Sequence, residues 1–458
     1  MKLNRRQFVA TSSAALVSSG SASGKGTIQG ANDRIRGAFI GMGGMGRANL
    51  SDFMRMDNVQ VVAVCDVWDF NRDRGIEMTA SQASGRAEGY SDFRKIIDRT
   101  DIDFVVVSTP DHWHGIPAIR ACESGKDVYV EKPLTHNIRE GRLLVDAARK
   151  NNRVVQMGTQ QRSGAHYQEA VKIIQDGGLG KVTWVRAWNY ENESPHGVGK
   201  PADTAPPDGL DWDFWLGPAP RIPFNPNRFI GSFRWYWDYA GGKMTDWGTH
   251  HIDIIQWAMN VKGPHSVSAI GGNYVLQDNR ETPDTLEAVY EYPGFIMTYE
   301  SRVCNSREPL RRGYGIEFFG TDATMFLDRD GYEIVPEIDG EFEPPTPSYV
   351  YQLNAAGRRW VPWERPRSQR KGRSEYLRGD GSDQHATHVR NFLDCVQSRQ
   401  RPNSDVEIGH QSTAASHLAN ISLRSGRRIY WDTETEMIQN DPEASKLLTR
   451  DYHAPWTL

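Results

Sequence analysis

The sequence predicts an α/β protein with a parallel sheet in its amino-terminal part. Between about residues 34 and 160, short β-branched runs alternate with helical patterns, and a glycine-rich turn follows the first run. This alternation is typical of parallel strands, because each parallel pair needs a crossover connection. The chain has 458 residues, enough for about two domains of ordinary size, so a second domain is expected after the first.

Composition and charge exclude several classes of protein. Hydrophobic residues make up 38% of the chain, and the chain also has 43 glycines. Counted together as apolar residues, they come close to the usual apolar share of a globular protein, which excludes global disorder. The net charge of −4 argues against a nucleic-acid partner. No run of about 20 apolar residues occurs, so no membrane-spanning helix is predicted.

The first 30 residues have the character of a leader rather than of a folded domain. Arg5 and Arg6 precede a mildly apolar stretch rich in Ala, Val and Ser that runs to about Gly24 without an acidic residue. This pattern resembles a twin-arginine export signal, and the alternative is a disordered tail with a chance arginine pair. We therefore expect residues 1–30 to direct the protein to the periplasm or another extracytoplasmic space.

The first strand and the turn after it form the most informative segment. Ile35–Ile40 is a short apolar run that leads directly into Gly41-Met42-Gly43-Gly44-Met45-Gly46, and a helical pattern follows. The next β-branched run starts at Val59 and ends at Asp66, which lies 20 residues after Gly46. A strand, a G-x-G-x-x-G turn, a helix and an acid at this distance together predict a dinucleotide-binding site.

Each part of this motif has a physical role at a bound dinucleotide, and all six residues of the turn are cofactor-binding candidates. Gly41 permits the tight turn, Gly43 lets backbone N–H groups approach the pyrophosphate, and Gly46 allows close packing of helix on strand. The helix amino terminus offers free N–H donors to the phosphates. Asp66 is expected to bind the ribose hydroxyls, and its charge favours NAD over NADP, although two nearby arginines weaken that preference.

Three further strands are expected to end on the same rim of the sheet. They are Phe104–Val107, Asp127–Val130 and Val154–Met157, with helical patterns between them. Parallel sheets bind ligands at the carboxyl ends of their strands, so the segments that follow should surround the nicotinamide. The candidate cofactor contacts on this rim are Thr109, Pro110, His112, His114, Glu131, Lys132 and Gln160.

Taken together, these motifs resemble those of the Gfo/Idh/MocA oxidoreductases, the family of glucose–fructose oxidoreductase and inositol dehydrogenase. The resemblance rests on the glycine turn, on Pro110 with His114, on Glu131-Lys132-Pro133, and on Gly241-Gly242 followed by Asp246-x-x-x-His250. It implies a Rossmann domain over residues 33–160 and a carboxyl-terminal α/β domain over residues 161–458 with an open-faced, mainly antiparallel sheet. It also implies helices within 376–425 that pack back on the Rossmann domain, and homodimers or homotetramers formed through the sheet.

The resemblance also assigns catalytic roles. Lys132 is expected to bind the reacting hydroxyl and lower its pKa, and His250 to take the proton as general base. Asp246 lies four residues before His250, a spacing that puts both side chains on one face of a helix, and it is expected to orient the substrate or the imidazole. No metal is expected, because the nicotinamide itself accepts the hydride.

Aromatic residues are concentrated where a sugar is expected to bind. Eight of the 14 tryptophans lie between Trp184 and Trp257, and aromatic faces stack on the C–H faces of sugar rings. The candidate substrate contacts are Lys132, Arg162, Trp235, Tyr236, Asp246 and His250, with sheet core or subunit interface as the alternative for the aromatic ones. The Pro- and Gly-rich segment from Pro195 to Pro226 is expected to be a long loop, over the pocket or over a neighbouring subunit.

The sequence therefore predicts an NAD(P)-dependent oxidoreductase that acts on a secondary hydroxyl of a sugar, glycoside or cyclitol. The alternative is an NAD-dependent, redox-neutral glycoside hydrolase or lyase that oxidises, eliminates, hydrates and reduces in turn. A non-enzymatic NAD- or sugar-binding protein is a third possibility. Because free NAD is scarce outside the cytoplasm, an exported enzyme is expected to hold its cofactor tightly, with extra contacts from about residues 24–33.

Overall fold

The computed structural model describes residues 34–307, 312–339, 352–354, 357–359, 371–372 and 375–458. The leader expected at residues 1–30, and the cofactor contacts expected from residues 24–33, lie outside the described residues. In the part of the chain that is described, no helix has both the length and the apolar composition needed to cross a bilayer.

The amino-terminal domain is a six-stranded sheet in which every neighbouring pair is parallel, in the order β3-β2-β1-β4-β5-β6. Its strands are β1 (Ile35–Ile40), β2 (Val59–Cys65), β3 (Glu88–Tyr90), β4 (Phe104–Val107), β5 (Asp127–Val130) and β6 (Val155–Met157). Its helices are α1 (Gly44–Met54), α2 (Asp69–Met78), α3 (Arg94–Ile97), α4 (Gly115–Glu123) and α5 (Ile138–Lys150). The strands other than the edge strand β3 are almost entirely buried, because helices cover both faces of a parallel sheet.

The carboxyl-terminal domain is built on a ten-stranded sheet in the order β18-β13-β12-β11-β7-β10-β9-β8-β19-β20. Its strands are β7 (Val182–Tyr190), β8 (Ser266–Gly272), β9 (Thr285–Tyr292), β10 (Phe295–Arg302), β11 (Tyr314–Gly320), β12 (Ala323–Asp328), β13 (Gly331–Pro336), β18 (Leu377–Asp380), β19 (Ile429–Asp432) and β20 (Met437–Ile438). Strands β7 and β10 pair in parallel, and the other neighbours are antiparallel. The expected α/β class with a mainly antiparallel second sheet is confirmed.

One face of this sheet is covered and the other is open. Along β9, Leu286, Ala288, Tyr290 and Tyr292 are buried while the residues between them are exposed, the period-2 pattern of a one-sided sheet. The covering helices are α6 (Ala165–Gln175), α9 (Gly248–Ala258) and α11 (Val406–Ser425), and the remaining helices are α7 (Trp212–Leu216), α8 (Gly242–Asp246), α10 (His385–Ser398) and α12 (Pro442–Ser445). Four short strands form two small separate sheets, β14 (Ile338–Asp339) with β17 (Lys371–Gly372) and β15 (Gln352–Asn354) with β16 (Gly357–Arg359).

Helix α10 packs on the amino-terminal domain. The ring centroid of Phe392 lies 6.0 Å from that of Phe53, 5.6 Å from that of Phe104 and 5.8 Å from that of Tyr129. These four buried rings belong to one apolar cluster that spans both sequence regions. The carboxyl-terminal end of the chain therefore completes the first domain's core and fixes where the two sheets meet.

The Pro- and Gly-rich loop lies over the amino-terminal domain of its own chain. Trp68 and Leu210 form an isolated antiparallel bridge, the N–H of Asp69 donates to the carbonyl of Gly209 at 3.0 Å, and the N–H of Asp211 donates to Val67 at 3.0 Å. An aromatic cluster that includes Trp212, Trp215 and Phe229 follows these contacts. We call residues 208–235 the covering arm.

Candidate active site

A cavity of about 590 Å³ lies between the carboxyl ends of the parallel strands and the second domain. Its walls include the glycine turn, the segments after β4 and β5, the covering arm and residues of α9. A cavity of this size at the carboxyl ends of parallel strands is where α/β proteins bind their ligands.

The glycine turn has the geometry of a diphosphate cradle. Gly41 has φ +89°, and a Cβ there would lie 2.7 Å from the backbone of Ser108. A Cβ on Gly46 would lie 1.9 Å from the carbonyl oxygen of Gly41, so this glycine permits the contact between α1 and β1 rather than a ligand contact. At Gly43 a Cβ would meet no atom within 4 Å, which leaves the approach to the amino terminus of α1 open.

The end of β2 is locked to the same turn. The Asp66 carboxylate accepts hydrogen bonds from the backbone N–H of Met42 at 2.7 Å and of Trp68 at 2.9 Å. Burial raises the pKa of Asp66, and these hydrogen bonds oppose that effect. The structure corrects one expectation here, because the Met42 side chain is fully buried in the core and does not line the cavity.

Of the rim residues expected at the cofactor, all except His112 line the cavity. The His112 ring lies in the core, with Nε2 2.9 Å from the carbonyl oxygen of Trp215, and burial lowers its pKa to about 3. It therefore anchors the covering arm instead. His114 lines the cavity and joins two rim segments, with Nδ1 2.6 Å from the Pro133 carbonyl oxygen and Nε2 2.9 Å from that of Thr109.

Lys132 is held in place by Asp246. Its Nζ donates to Asp246 Oδ1 at 2.5 Å and to the Asp246 carbonyl oxygen at 3.0 Å. Burial alone would raise the pKa of this carboxyl, but Lys132 and its neighbours Arg234 and Lys243 outweigh burial and hold the pKa well below its usual value. Asp246 itself does not line the cavity, so the structure corrects its expected contact with substrate.

His250 reaches the cavity from a different helix than expected. Trp247 interrupts the helical pattern, so Asp246 ends α8 while His250 lies in the first turn of α9. His250 Nδ1 has no hydrogen-bond partner among the described residues, so Asp246 does not orient this imidazole. Burial and the nearby charges of Lys132 and Arg329 hold the pKa of His250 well below its usual value, which leaves the ring neutral and able to accept a proton.

Three expected substrate contacts lie outside the cavity. Arg162 is buried, and its Nε donates to the buried Asp253 carboxylate at 2.7 Å. Trp235 is buried with Lys243 and Arg280 over its ring, and the Tyr236 hydroxyl donates to Asn279 Oδ1 at 2.6 Å. The expectation that these side chains bind substrate is corrected, because Asp253 and Asn279 engage polar groups of Arg162 and Tyr236. Two cations cover the ring of Trp235.

Other cavity residues were not expected from the sequence: Asp111, Phe214, Trp215, Phe229, Phe233, Arg234, Trp247, Arg329 and His385. Asp111 lies in the rim segment already singled out, and burial raises the pKa of its carboxyl to about 7 against the opposing charges of Arg234 and Lys132. His385 lies next to a predicted cofactor contact, with its Nε2 3.2 Å from Gln160 Nε2. No local pattern marks Arg329, which comes from the β12–β13 turn.

Within the described ranges, no group of three or more His, Cys, Asp or Glu side chains is arranged to hold a metal ion. Lys132 and His250 offer acid–base chemistry in the cavity wall, next to a diphosphate cradle.

Curated relatives match part of the chain. A glycosyl hydrolase family 109 protein of Shewanella pealeana is 29% identical over 204 residues, 40% of this chain and 45% of that protein. An alpha-N-acetylgalactosaminidase of Shewanella oneidensis is 29% identical over 152 residues, 32% of this chain and 33% of that protein. The match spans less than half the length of these relatives.

Solved structures share the fold over most of the chain. The WlbA dehydrogenase of Bordetella pertussis, solved with NADH and UDP-GlcNAcA, has a TM-score of 0.60 and 19% identity and covers 87% of this chain and 99% of its own. Scyllo-inositol dehydrogenase of Lactobacillus casei, solved with NAD(H) and scyllo-inositol, has a TM-score of 0.58 and 16% identity, covering 87% and 99%.

Family models match both domains. Residues 35–159 match the oxidoreductase family's NAD-binding Rossmann fold, and residues 164–279 and 380–458 match the same family's C-terminal alpha/beta domain. The glycine turn and Lys132 fall in the first match, and His250 falls in the second. The chain belongs to the Gfo/Idh/MocA oxidoreductase family.

Proposed function

We propose that the protein is an NAD-dependent oxidoreductase that acts on a secondary hydroxyl of a sugar, glycoside or cyclitol. The observation that carries this proposal is the convergence of Lys132, fixed by Asp246, and a neutral His250 on the cavity that contains the glycine turn. Both side chains line that cavity, which argues against a protein that only binds NAD or sugar.

The cavity residues fit the cofactor. The open approach at Gly43 and the free N–H groups at the start of α1 suit a pyrophosphate, and Asp66 lies where a ribose would be. The nearby Arg72 is engaged with Asp69 at 2.5 Å and Asp73 at 2.8 Å, so it offers little to a 2′-phosphate. NAD supplies the hydride acceptor for the reaction, and we propose it over NADP.

The chain's own residues then handle the hydroxyl proton. Lys132 Nζ donates a hydrogen bond to the substrate hydroxyl oxygen, which favours its ionised form. Asp246 keeps the ammonium group in position from behind, because it lies outside the cavity and bonds the same Nζ. His250 accepts the proton on a ring nitrogen, and its lowered pKa keeps it unprotonated beforehand.

A substitution in the glycine turn separates cofactor binding from folding. Gly43→Val puts a branched side chain into open space, so the apo fold should melt as the wild type does while dinucleotide content falls to near zero. The measurement is dinucleotide released from purified protein by acid, beside a thermal melt. Gly46→Ala is the matched control, because its Cβ clashes with Gly41 and should lower the melting temperature. Full dinucleotide content in Gly43→Val would place the cofactor elsewhere.

We also propose that the cofactor stays bound through the catalytic cycle. The covering arm contributes Phe214, Trp215 and Phe229 to the cavity wall and is tied to the end of β2 by backbone hydrogen bonds. Such a cover slows release of a bound dinucleotide. It suits the export that we propose for residues 1–30. Outside the cytoplasm the oxidised cofactor must be restored in place, either by a second, carbonyl substrate or by the same sugar after elimination.

The direct test is a panel of sugars, cyclitols and glycosides added to holoprotein, with absorbance of bound NADH as readout. A rise with at least one secondary alcohol supports the proposal. No change with any of them, in protein shown to contain NAD, contradicts it.

A redox-neutral glycosidase is the second candidate. It is supported by the partial similarity to glycosyl hydrolase family 109 proteins and by Asp111, a cavity carboxyl whose raised pKa lets it carry a proton near neutrality. Elimination and hydration need such a second acid–base group. Release of nitrophenol from an aryl glycoside without any added acceptor would favour this cycle, and its absence would favour the dehydrogenase.

We propose that the open sheet face joins two or four copies of the chain. Trp184 on β7, Val289 on β9 and Ile296 on β10 are 44%, 42% and 51% exposed on adjacent strands. Contiguous apolar surface of this kind is typical of subunit interfaces. Ile296→Lys should shift the mass measured by light scattering towards the monomer, while Tyr376→Lys, outside this strand group, should not. A monomeric wild type would contradict the proposal.

A further inference from the structure

Beyond its effect on the pKa of His250, the proposed chemistry gives no role to one arginine of the cavity. Arg329 lines the cavity from the turn between β12 and β13, and its Nε is buried without a hydrogen-bond partner among the described residues. Its guanidinium carbon lies 4.8 Å from the centroid of the Trp247 ring, which also lines the cavity. A guanidinium that stacks through its face keeps the N–H groups on its edge available.

The carboxylates nearest to Arg329 in sequence do not neutralise it. Asp328 accepts from Arg312 NH1 at 3.0 Å and from the backbone of Asp330, and the Asp330 side chain is exposed. Across the described ranges, Arg329 forms no ion pair. Arg329 is only partly buried and its side chain is open to the cavity, so a bound anion can reach it and accept a hydrogen bond from the unpartnered Nε.

Acids in the cavity wall, and Asp246 behind it, have other cationic or amide partners. Asp246 binds Lys132 and Arg234, and Glu131 accepts from Asn49 Nδ2 at 2.9 Å. Asp111 is subject to the charges of Arg234 and Lys132. Arg329 is therefore the lining cation that has no carboxylate partner among the described residues, and it lies beside the Trp247 ring, whose centroid is 6.1 Å from that of the His250 ring.

We propose that Arg329 binds the carboxylate of an acidic sugar, so that the substrate of this site is a uronic acid or its glycoside rather than a neutral sugar. This inference rests on the proposed function. A planar carboxylate matches the edge of a guanidinium with two parallel hydrogen bonds, and the Trp247 face holds that edge towards the cavity. The Trp247 ring lies next to both the Arg329 guanidinium and the His250 ring, so a sugar whose carboxylate meets Arg329 has its ring beside the proton acceptor.

The test compares acids with their own methyl esters, which have nearly the same shape without the charge. Holoprotein is titrated with glucuronate, galacturonate and mannuronate and with the three esters, and both calorimetric affinity and reduction of bound NAD are recorded. At least one acid should bind about 10- to 100-fold more tightly than its ester, the range for a hydrogen bond to a charged group. Glucose 6-phosphate and glucose 6-sulfate serve as the other anions, and tighter binding of these than of every uronate would overturn the choice of carboxylate.

Substitutions test whether Arg329 is responsible for the preference for the acid over its ester. Arg329→Gln should raise the KM for the acid by about 10- to 100-fold and leave the KM of the ester within a few-fold, and Arg329→Lys should recover part of the loss. Arg378→Gln, a substitution of an exposed arginine on β18, should change neither constant. If no acid binds better than its ester, or if Arg329→Gln releases NAD or weakens acid and ester equally, the inference is wrong. Failure of the proposed function is distinct, because then no sugar, acidic or neutral, reduces the bound NAD.

Discussion

Replacing Lys132 with Met should lower turnover by about 10²- to 10⁴-fold, the range for loss of a positioned proton-handling group. Met keeps the length of the side chain and removes the ammonium group that donates to the substrate hydroxyl. The fold should survive, because Arg234 and Lys243 still neutralise Asp246. The measurements are single-turnover reduction of bound NAD and dinucleotide content, and content should equal that of the wild type.

Lys172→Met is the matched control for this change. Lys172 is exposed on α6 and pairs only with Asp176 at 2.6 Å, so its replacement should leave turnover unchanged. If Lys132→Met retained near-wild-type turnover with full dinucleotide, the assignment of the ammonium group to the reacting hydroxyl would be wrong.

Replacing His250 with Gln should also lower turnover by about 10²- to 10⁴-fold, because an amide fills similar space but cannot take the proton. The pH profile gives a second readout. The pKa of His250 is well below its usual value, and protonation abolishes the base only when the pH falls through that lowered pKa. An ordinary histidine has a pKa of about 6.5. As the pH falls through this value, wild-type kcat/KM should therefore show no decrease from protonation of His250.

His251 provides the neighbouring control. It is equally buried on α9, but it does not line the cavity, and burial lowers its pKa to about 3. His251→Gln should keep kcat within a few-fold, since its ring lies outside the reaction site. Equal losses in the two variants would indicate that helix packing, not proton transfer, explains the effect at position 250.

The amino-terminal half of the site could be predicted because its determinants are contiguous. The strand at Ile35–Ile40, the glycine turn, α1 and Asp66 occupy one stretch of chain, and local backbone geometry links them. The position of Lys132 at the site could also be predicted from the sequence. Lys132 closely follows a buried strand, and parallel strands bring their carboxyl ends to one edge of the sheet.

The substrate half depends on contacts that the sequence does not display. Arg162 has a side chain suited to binding substrate. Its ion pair with Asp253, 91 residues away in the sequence, instead holds that side chain outside the cavity. The spacing of Asp246 and His250 predicts one helix face, yet Trp247 separates them onto two helices. Arg329 lies in the turn between β12 and β13. The pairing of these two strands is what places the turn at the cavity.

The central claim, removal of a hydride from a sugar by the protein's own bound cofactor, has one direct measurement. Holoprotein is incubated with sugars that carry deuterium at their hydroxyl-bearing carbons, and the dinucleotide released by denaturation is weighed by mass spectrometry. We expect reduced dinucleotide that carries deuterium in the wild type and unlabelled, oxidised dinucleotide in Lys132→Met. A dinucleotide that remains oxidised and unlabelled with every acidic and neutral sugar would contradict the account.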